Sequence, residues 1–200
     1  MIFVALSSLS CAGTEEPLSP SFNSGRAFSY LEQQVAFGPR IPGTESHAKT
    51  RDWLIERLRE HTPHVATQTF RGLSAGEEVE MHNIVASFYP EKTERIILCA
   101  HWDSRPHADR DPNPDNHAKP VPGANDGASG TATLLEIARA LMEKTPPCGV
   151  DIVFFDGEDG GDYGDNDAWL LGSRHFARVM PDSYRPARGI LLDMIGDRDL

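Results

Sequence analysis

Apolar residues at Ala27, Tyr30, Leu31 and Val35 recur at helical spacing and predict a helix from Arg26 to Phe37, closed by Gly38-Pro39. A second helix is expected from Glu45 to Glu60, with Thr44 as its N-cap, Trp53, Leu54 and Leu58 as its buried stripe, and Pro63 beyond its end. The period then changes. His64 to Phe70 and Val79 to Tyr89 alternate as strands do, and the Gly-containing connection between them predicts a hairpin. Arg95 to Ala100 is a nearly continuous apolar run, as in a strand buried on both faces. A polar loop from Ser104 to Gly123 follows, then a helix from Gly130 to Glu143 and a second buried strand, Asp151 to Phe155. After an acidic, Gly-rich loop come a helix from Gly172 to Met180 and a third strand expected to be buried, Gly189 to Leu192. Strands alternating with helices make an α/β fold: an open mixed sheet, parallel at its centre and flanked by helices.

Two hundred residues with 39% hydrophobic content suffice for one domain with its own core, here assigned to residues 26–200. The formal net charge of -11 excludes a nucleic-acid partner, which would require a basic face. The opening residues MIFVALSSLSCAG run apolar, then small, then cysteine, like the core and cleavage zone of a secretory signal without its usual basic start, so the natural start is expected upstream. Cys11 stands where a lipoprotein-type signal would be cut and lipid-modified, although Ser8 occupies a position where such signals more often carry leucine. A membrane tether through lipidated Cys11 and a plain cleaved signal both remain open, and both imply an extracytoplasmic protein of the periplasm or cell envelope. Residues 14–25, rich in Ser, Pro and Glu, read as a tether. Three cysteines define no disulfide framework, and Cys99 and Cys148 read as core thiols.

In open α/β sheets ligands bind beyond the carboxyl ends of the parallel strands. Each predicted central strand ends there in potential metal donors: His101 and Asp103 in HWDS, Asp156, Glu158 and Asp159 in FFDGED, and Asp193 in LLDMIGD. Asp126 joins them from PGANDGASG, whose small residues let the backbone turn tightly against an ion. Singly these signals are weak, since Asp126 could equally be a cap or turn residue. As an ordered set they would crowd like charges together at a cost that a cation offsets. The alternative is acids in solvated loops. One imidazole with several carboxylates suits zinc best. Adjacent side chains diverge, so Asp159 is assigned to the metal and Glu158 to general acid/base work, the other reading of Glu158 being a hydrogen bond to the following loop.

In these residues, and in FGPRIPGTESH, NIVAS, CAHWDSRPHADRDP, VPGANDGASGTATLLEIARAL, DIVFFDGEDGGDYG, AWLLGSRHFA and GILLDMIGD, the chain from Arg26 onward resembles the zinc aminopeptidase family, and more closely its glutaminyl cyclase branch. The resemblance implies Asp126 and Asp159 as zinc ligands, Glu158 as the proton-transfer residue, Asp193 as an acid near the reacting groups, and Trp169 as an aromatic lining the substrate pocket. His101 matches a ligand of the second metal in the aminopeptidases and is retained without being a main ligand in the cyclases. It further implies an enzyme that converts the N-terminal glutamine of peptides or proteins to pyroglutamate with release of ammonia, using one zinc; a monomer is expected. The alternatives are an aminopeptidase with two zincs and an inactive surface binding module, whose sign would be loss of Glu158 or Asp126. Both are present. The family's remaining zinc ligand, a C-terminal histidine, and an acid before it have no counterpart before Leu200, so the domain is expected to be incomplete at that end.

Overall fold

The computed structural model describes residues 22–161 and 167–197, so Cys11, the signal-like segment and most of the expected tether lie outside the described residues. Helix α1, Ser24–Ala36, starts where the Asn23 side chain accepts a hydrogen bond from the Arg26 N–H at 2.9 Å. Its inward face carries Ala27, as expected, but also Gln34, which accepts from the Thr131 hydroxyl at 2.7 Å. Helix α2, Glu45–Arg59, is capped by Thr44 as its sequence predicts, and it buries Leu54 and Leu58 completely. His47 and Thr50 share that buried face.

The hairpin joins β1, Val65–Ser74, to β2, Glu77–Phe88. Ala75 and Gly76 between them both have positive φ, as the common two-residue hairpin turns require. Three further strands complete the sheet: β3, Arg95–His101, β4, Gly149–Phe155, and β5, Arg188–Leu191. The order is β1-β2-β4-β3-β5, with β4, β3 and β5 mutually parallel and the hairpin added antiparallel through β2. Helix α3, Gly130–Ala140, connects β3 to β4, and α4, Leu171–Val179, lies between β4 and β5. Since β4 lies on one side of β3 and β5 on the other, the chain reverses its winding direction at β3. Such a switch point opens a crevice at the strand's carboxyl end.

One face of the sheet (Ile84, Ala86, Leu98, Ala100, Ile152, Phe154) packs against Leu54 and Leu58 of α2 and Leu134, Leu135 and Ala138 of α3. On the other face Val153 and Phe155 meet Phe176 of α4, with Cys99 at the margin. Burial pushes the Cys99 thiol up to about 11, consistent with an inert core cysteine. β4 is buried along its whole length. The third central strand does not match its expectation: β5 is exposed, with Ile190 and Leu191 51% and 60% accessible, because among the described residues it forms the sheet edge and pairs with β3 alone. Among the described residues no helix is long and apolar enough to cross a membrane.

Candidate metal centre and its cavity

β3 delivers His101 and, two residues on, Asp103, both buried. Asp103 is spent on positioning. Its two carboxylate oxygens accept the backbone N–H groups of Glu158 and Asp159, each at 3.1 Å, which pins the loop after β4 to the end of β3. Asp103 Oδ1 also lies 3.3 Å from His101 Nδ1, a contact that favours the proton on that nitrogen and, in the neutral ring, leaves the lone pair on Nε2. Nε2 faces Asp126 Oδ1 at 2.8 Å and Asp193 Oδ1 at 3.5 Å. Burial disfavours the imidazolium, yet the surrounding carboxylates of Asp103, Asp126 and Asp193 together hold its pKa well above the usual histidine value.

Asp126 comes from the tight turn 124–129 that leads into α3. The turn depends on Gly123 and Gly127, both at positive φ: a Cβ on Gly127 would stand 2.5 Å from the Asp103 carbonyl oxygen, and one on Gly123 2.5 Å from Arg40 Nη2. Arg40 is completely buried and braces this turn. Its Nε donates to the Trp102 carbonyl at 2.8 Å, Nη1 to that of Pro122 at 3.0 Å and Nη2 to that of Gly123 at 2.6 Å. One guanidinium therefore ties the Asp126 turn to the end of β3. Burial lowers its pKa to about 10 against the pull of Asp103 and Asp126.

Beyond β4, Glu158 is half-buried and Asp159 buried. Burial raises Glu158 to about 7, helped by Asp103, Asp159 and Asp193 and opposed by His101. Asp159 is likewise raised to about 7, by burial first and then by the Asp126 and Asp103 carboxylates, against Arg105. Asp126 and Asp159 thus feel one another, and both line a single cavity of about 480 Å³. Trp169 forms part of the cavity wall, and the loop 105–122 supplies most of the rest. That loop is tied across itself, Val121 N–H donating to the Arg105 carbonyl at 3.0 Å and Ala108 N–H to that of Lys119 at 2.8 Å.

The residues fit a divalent cation. Donor atoms of His101, Asp126 and Asp193 lie within 4.8 Å of one another. His101 Nε2 and Asp159 Oδ2 are buried without a hydrogen-bond partner, the approach of Asp126 to Nε2 being a charge contact not aligned as a hydrogen bond. Mixed imidazole and carboxylate donors suit zinc. Four acids at the strand ends are not part of this set of three: Glu158 and Asp159, which follow β4, and Asp103 and Asp156. Asp103 is occupied by backbone N–H groups, as above. Asp156 points to the other side: strand alternation continues it on the face of Ile152 and Phe154, toward α2, where its oxygens meet His47 Nε2 at 3.0 and 2.9 Å and accept the His82 N–H at 2.6 Å. His47 in turn stacks on Trp102, ring centroids 4.2 Å apart.

Residues 83–199 match peptidase family M28. A solved glutaminyl cyclase from Tannerella forsythia is 47% identical with a TM-score of 0.85, over 90% of this chain and 64% of that one. A Zn-dependent exopeptidase from Parabacteroides distasonis is 44% identical with a TM-score of 0.84, over 89% of this chain and 63% of that one. The glutaminyl-peptide cyclotransferase of Drosophila melanogaster is 28% identical over 176 residues, 80% of this chain and 46% of the fly protein, so the chain spans about half of that relative's length. With the family match running through the loops that carry Asp126, Glu158, Asp159 and Asp193, the chain belongs to peptidase family M28.

Proposed function

We propose that the protein is a zinc-dependent glutaminyl-peptide cyclotransferase acting on peptides and proteins with N-terminal glutamine. The observation that carries this reading is the Glu158-Asp159 pair, whose backbone N–H groups are held by the two oxygens of Asp103, with Asp159 lining the same cavity as Asp126. Asp126 and Asp159 would hold zinc, with His101 and Asp193 alongside. Zinc, when bound, supplies Lewis-acid polarisation of the substrate's side-chain amide carbonyl.

The chain's own residues do the rest. Glu158 accepts a proton from the substrate's α-amine as that nitrogen attacks the side-chain amide carbon, and it returns the proton to the departing nitrogen. The amide C–N bond breaks, ammonia leaves and pyroglutamate remains. Because nucleophile and electrophile belong to one residue, the cavity's task is to hold a single rotamer against the Trp169 wall, which is how proximity accelerates such a step. Asp193, 3.5 Å from His101 Nε2, would orient or share the proton that Glu158 carries. Incubating the complete protein with a glutaminyl peptide and weighing the product tests the reading: cyclisation removes one ammonia, whereas release of the whole N-terminal residue would replace it with a peptidase.

The peptidase is the second reading, and one observation favours it. His101, Asp126 and Asp193 form a cluster that could hold an ion, and an ion there beside one shared by Asp126 and Asp159 would give the pair that a two-zinc aminopeptidase with Glu158 activating water needs. Metal content per protein separates the two. For localisation we propose an extracytoplasmic protein, supported by the apolar-then-small residues 1–13 ending around Cys11. Fatty-acid labelling of intact cells, lost on Cys11→Ser, separates a lipid tether from a cleaved signal.

A further inference from the structure

Arg105 opens a loop that reads from its sequence as a polar connection, yet it is only 12% exposed, against 9% for the Asp159 side chain it meets. Its Nε and Nη2 donate to the two oxygens of Asp109 at 2.7 and 2.8 Å, a two-pronged pairing that fixes the plane of the guanidinium. From that fixed plane Nη1 donates to Asp159 Oδ1 at 3.0 Å and to the Asp159 backbone carbonyl at 3.3 Å. Both the side chain and the main chain of Asp159 are therefore held by one group. The other oxygen, Oδ2, is buried and has no hydrogen-bond partner. A buried, unsatisfied carboxylate oxygen is costly, and it persists where something else is meant to satisfy it.

The same guanidinium lies 4.9 Å over the Trp169 ring, close enough for a cation–π contact. Trp169 is also pressed against Gly161, where a Cβ would stand 2.5 Å from the ring. The ring that walls the cavity and the acid at its floor thus share a support.

We propose that Arg105 is a positioning residue of the metal centre: it occupies one oxygen of Asp159 so that Asp159 offers the cation the other oxygen alone, and it sets the Trp169 wall in register with that ligand. This deepens the zinc reading above and rests on it. A lysine in its place would keep the charge but could not grip Asp109 with two prongs, reach Asp159 and cover the indole together.

The test uses the complete protein, with zinc(II) alone as probe, titrated in competition with a coloured chelator. Arg105→Gln is expected to weaken zinc binding by about 10- to 100-fold, the usual effect of removing a partner of a metal ligand. Arg105→Lys should recover only a small part of that loss, and Asp109→Asn, which frees the anchor, should fall between Arg105→Gln and wild type. Cobalt(II) supplies a signature that a merely structural role would not move. Freeing Oδ1 lets Asp159 bind through both oxygens, which raises the coordination number and weakens the visible absorption. An unchanged cobalt spectrum, or zinc affinity within twofold of wild type in Arg105→Gln with melting unchanged, overturns the proposal. Should Arg105→Gln not fold, full wild-type affinity in Arg105→Lys overturns it alone. Absence of zinc uptake by the wild type removes the metal reading itself, and this proposal with it.

Discussion

At the scale of single residues, the site divides into groups that its sequence marks and groups that it does not. His101, Asp126, Glu158, Asp159 and Asp193 are legible because each follows a strand or sits among small residues, a local pattern with chemical meaning. Arg40 and Arg105 are not, since their partners are reached across the fold: Arg40 contacts carbonyls of residues 102, 122 and 123, and Arg105 meets Asp159. No spacing along the chain encodes such contacts. Glu158→Gln should lower turnover by roughly 10²- to 10⁴-fold, the range for loss of a general acid/base, while zinc content stays at the wild-type level. Steady-state kinetics beside metal analysis would check this, and turnover within a few-fold of wild type would remove Glu158 from its role. Arg40→Met should destabilise the fold by about 3 kcal/mol, because buried carbonyls then lose their donors. The midpoint of urea unfolding reads that loss, and an unchanged midpoint would mean water replaces the guanidinium without cost.

At the scale of elements, hydrophobic periodicity located every α-helix and strand among the described residues to within a few residues but not the short helical turns at Pro114–Asn116 and 124–129, and the Thr44 cap and the hairpin stand as expected. Two features escaped it. The exposure of β5 depends on its place at the edge, which apolar content does not reveal, and the direction of Asp156 depends on which face of β4 its alternation continues. β4 also carries a buried charge. Burial alone would raise the Asp151 pKa, but Arg95 at 2.8 and 2.6 Å, Ser87 at 2.7 Å and the Tyr184 hydroxyl at 2.9 Å outweigh it and hold the acid below its ordinary value of 3.8. A depressed folded pKa means stability present above about 3.8 and lost as pH falls from there through the folded value. Asp151→Asn should therefore cost about 3 kcal/mol near neutrality, as breaking one side of a buried pair does. It should also flatten the acid limb of the stability curve. Chemical unfolding from neutral pH down to pH 2 would show this, and a variant whose acid limb retains the wild-type slope would assign that slope to other carboxylates.

At the scale of the whole molecule, reversal of winding at β3 brings ligands from separate segments to one rim: His101 ends β3, Asp159 follows β4 and Asp193 β5, and Asp126 precedes α3. Folding thus buries these acids and assembles like charges that repel, and the raised carboxyls of Asp159 and Glu158 report both costs, burial first. A bound cation reverses the balance, since it stabilises only the folded arrangement. With free zinc at 100 times its dissociation constant the gain is about 2.7 kcal/mol, and for a domain of this size that raises the melting temperature by roughly 5–10 °C. Chelation should remove the whole increment. Asp159→Asn separates site from fold: it takes away one of the crowded charges, so with chelator present the variant should melt no lower than wild type, while zinc should no longer raise its melting point. Stability held in reserve at a functional site behaves in this way. Calorimetry of both proteins with zinc and with chelator measures all four states. If Asp159→Asn melted well below the chelated wild type, Asp159 would be a structural acid supporting the loop through Arg105, and the metal would have to be placed on His101, Asp126 and Asp193 alone.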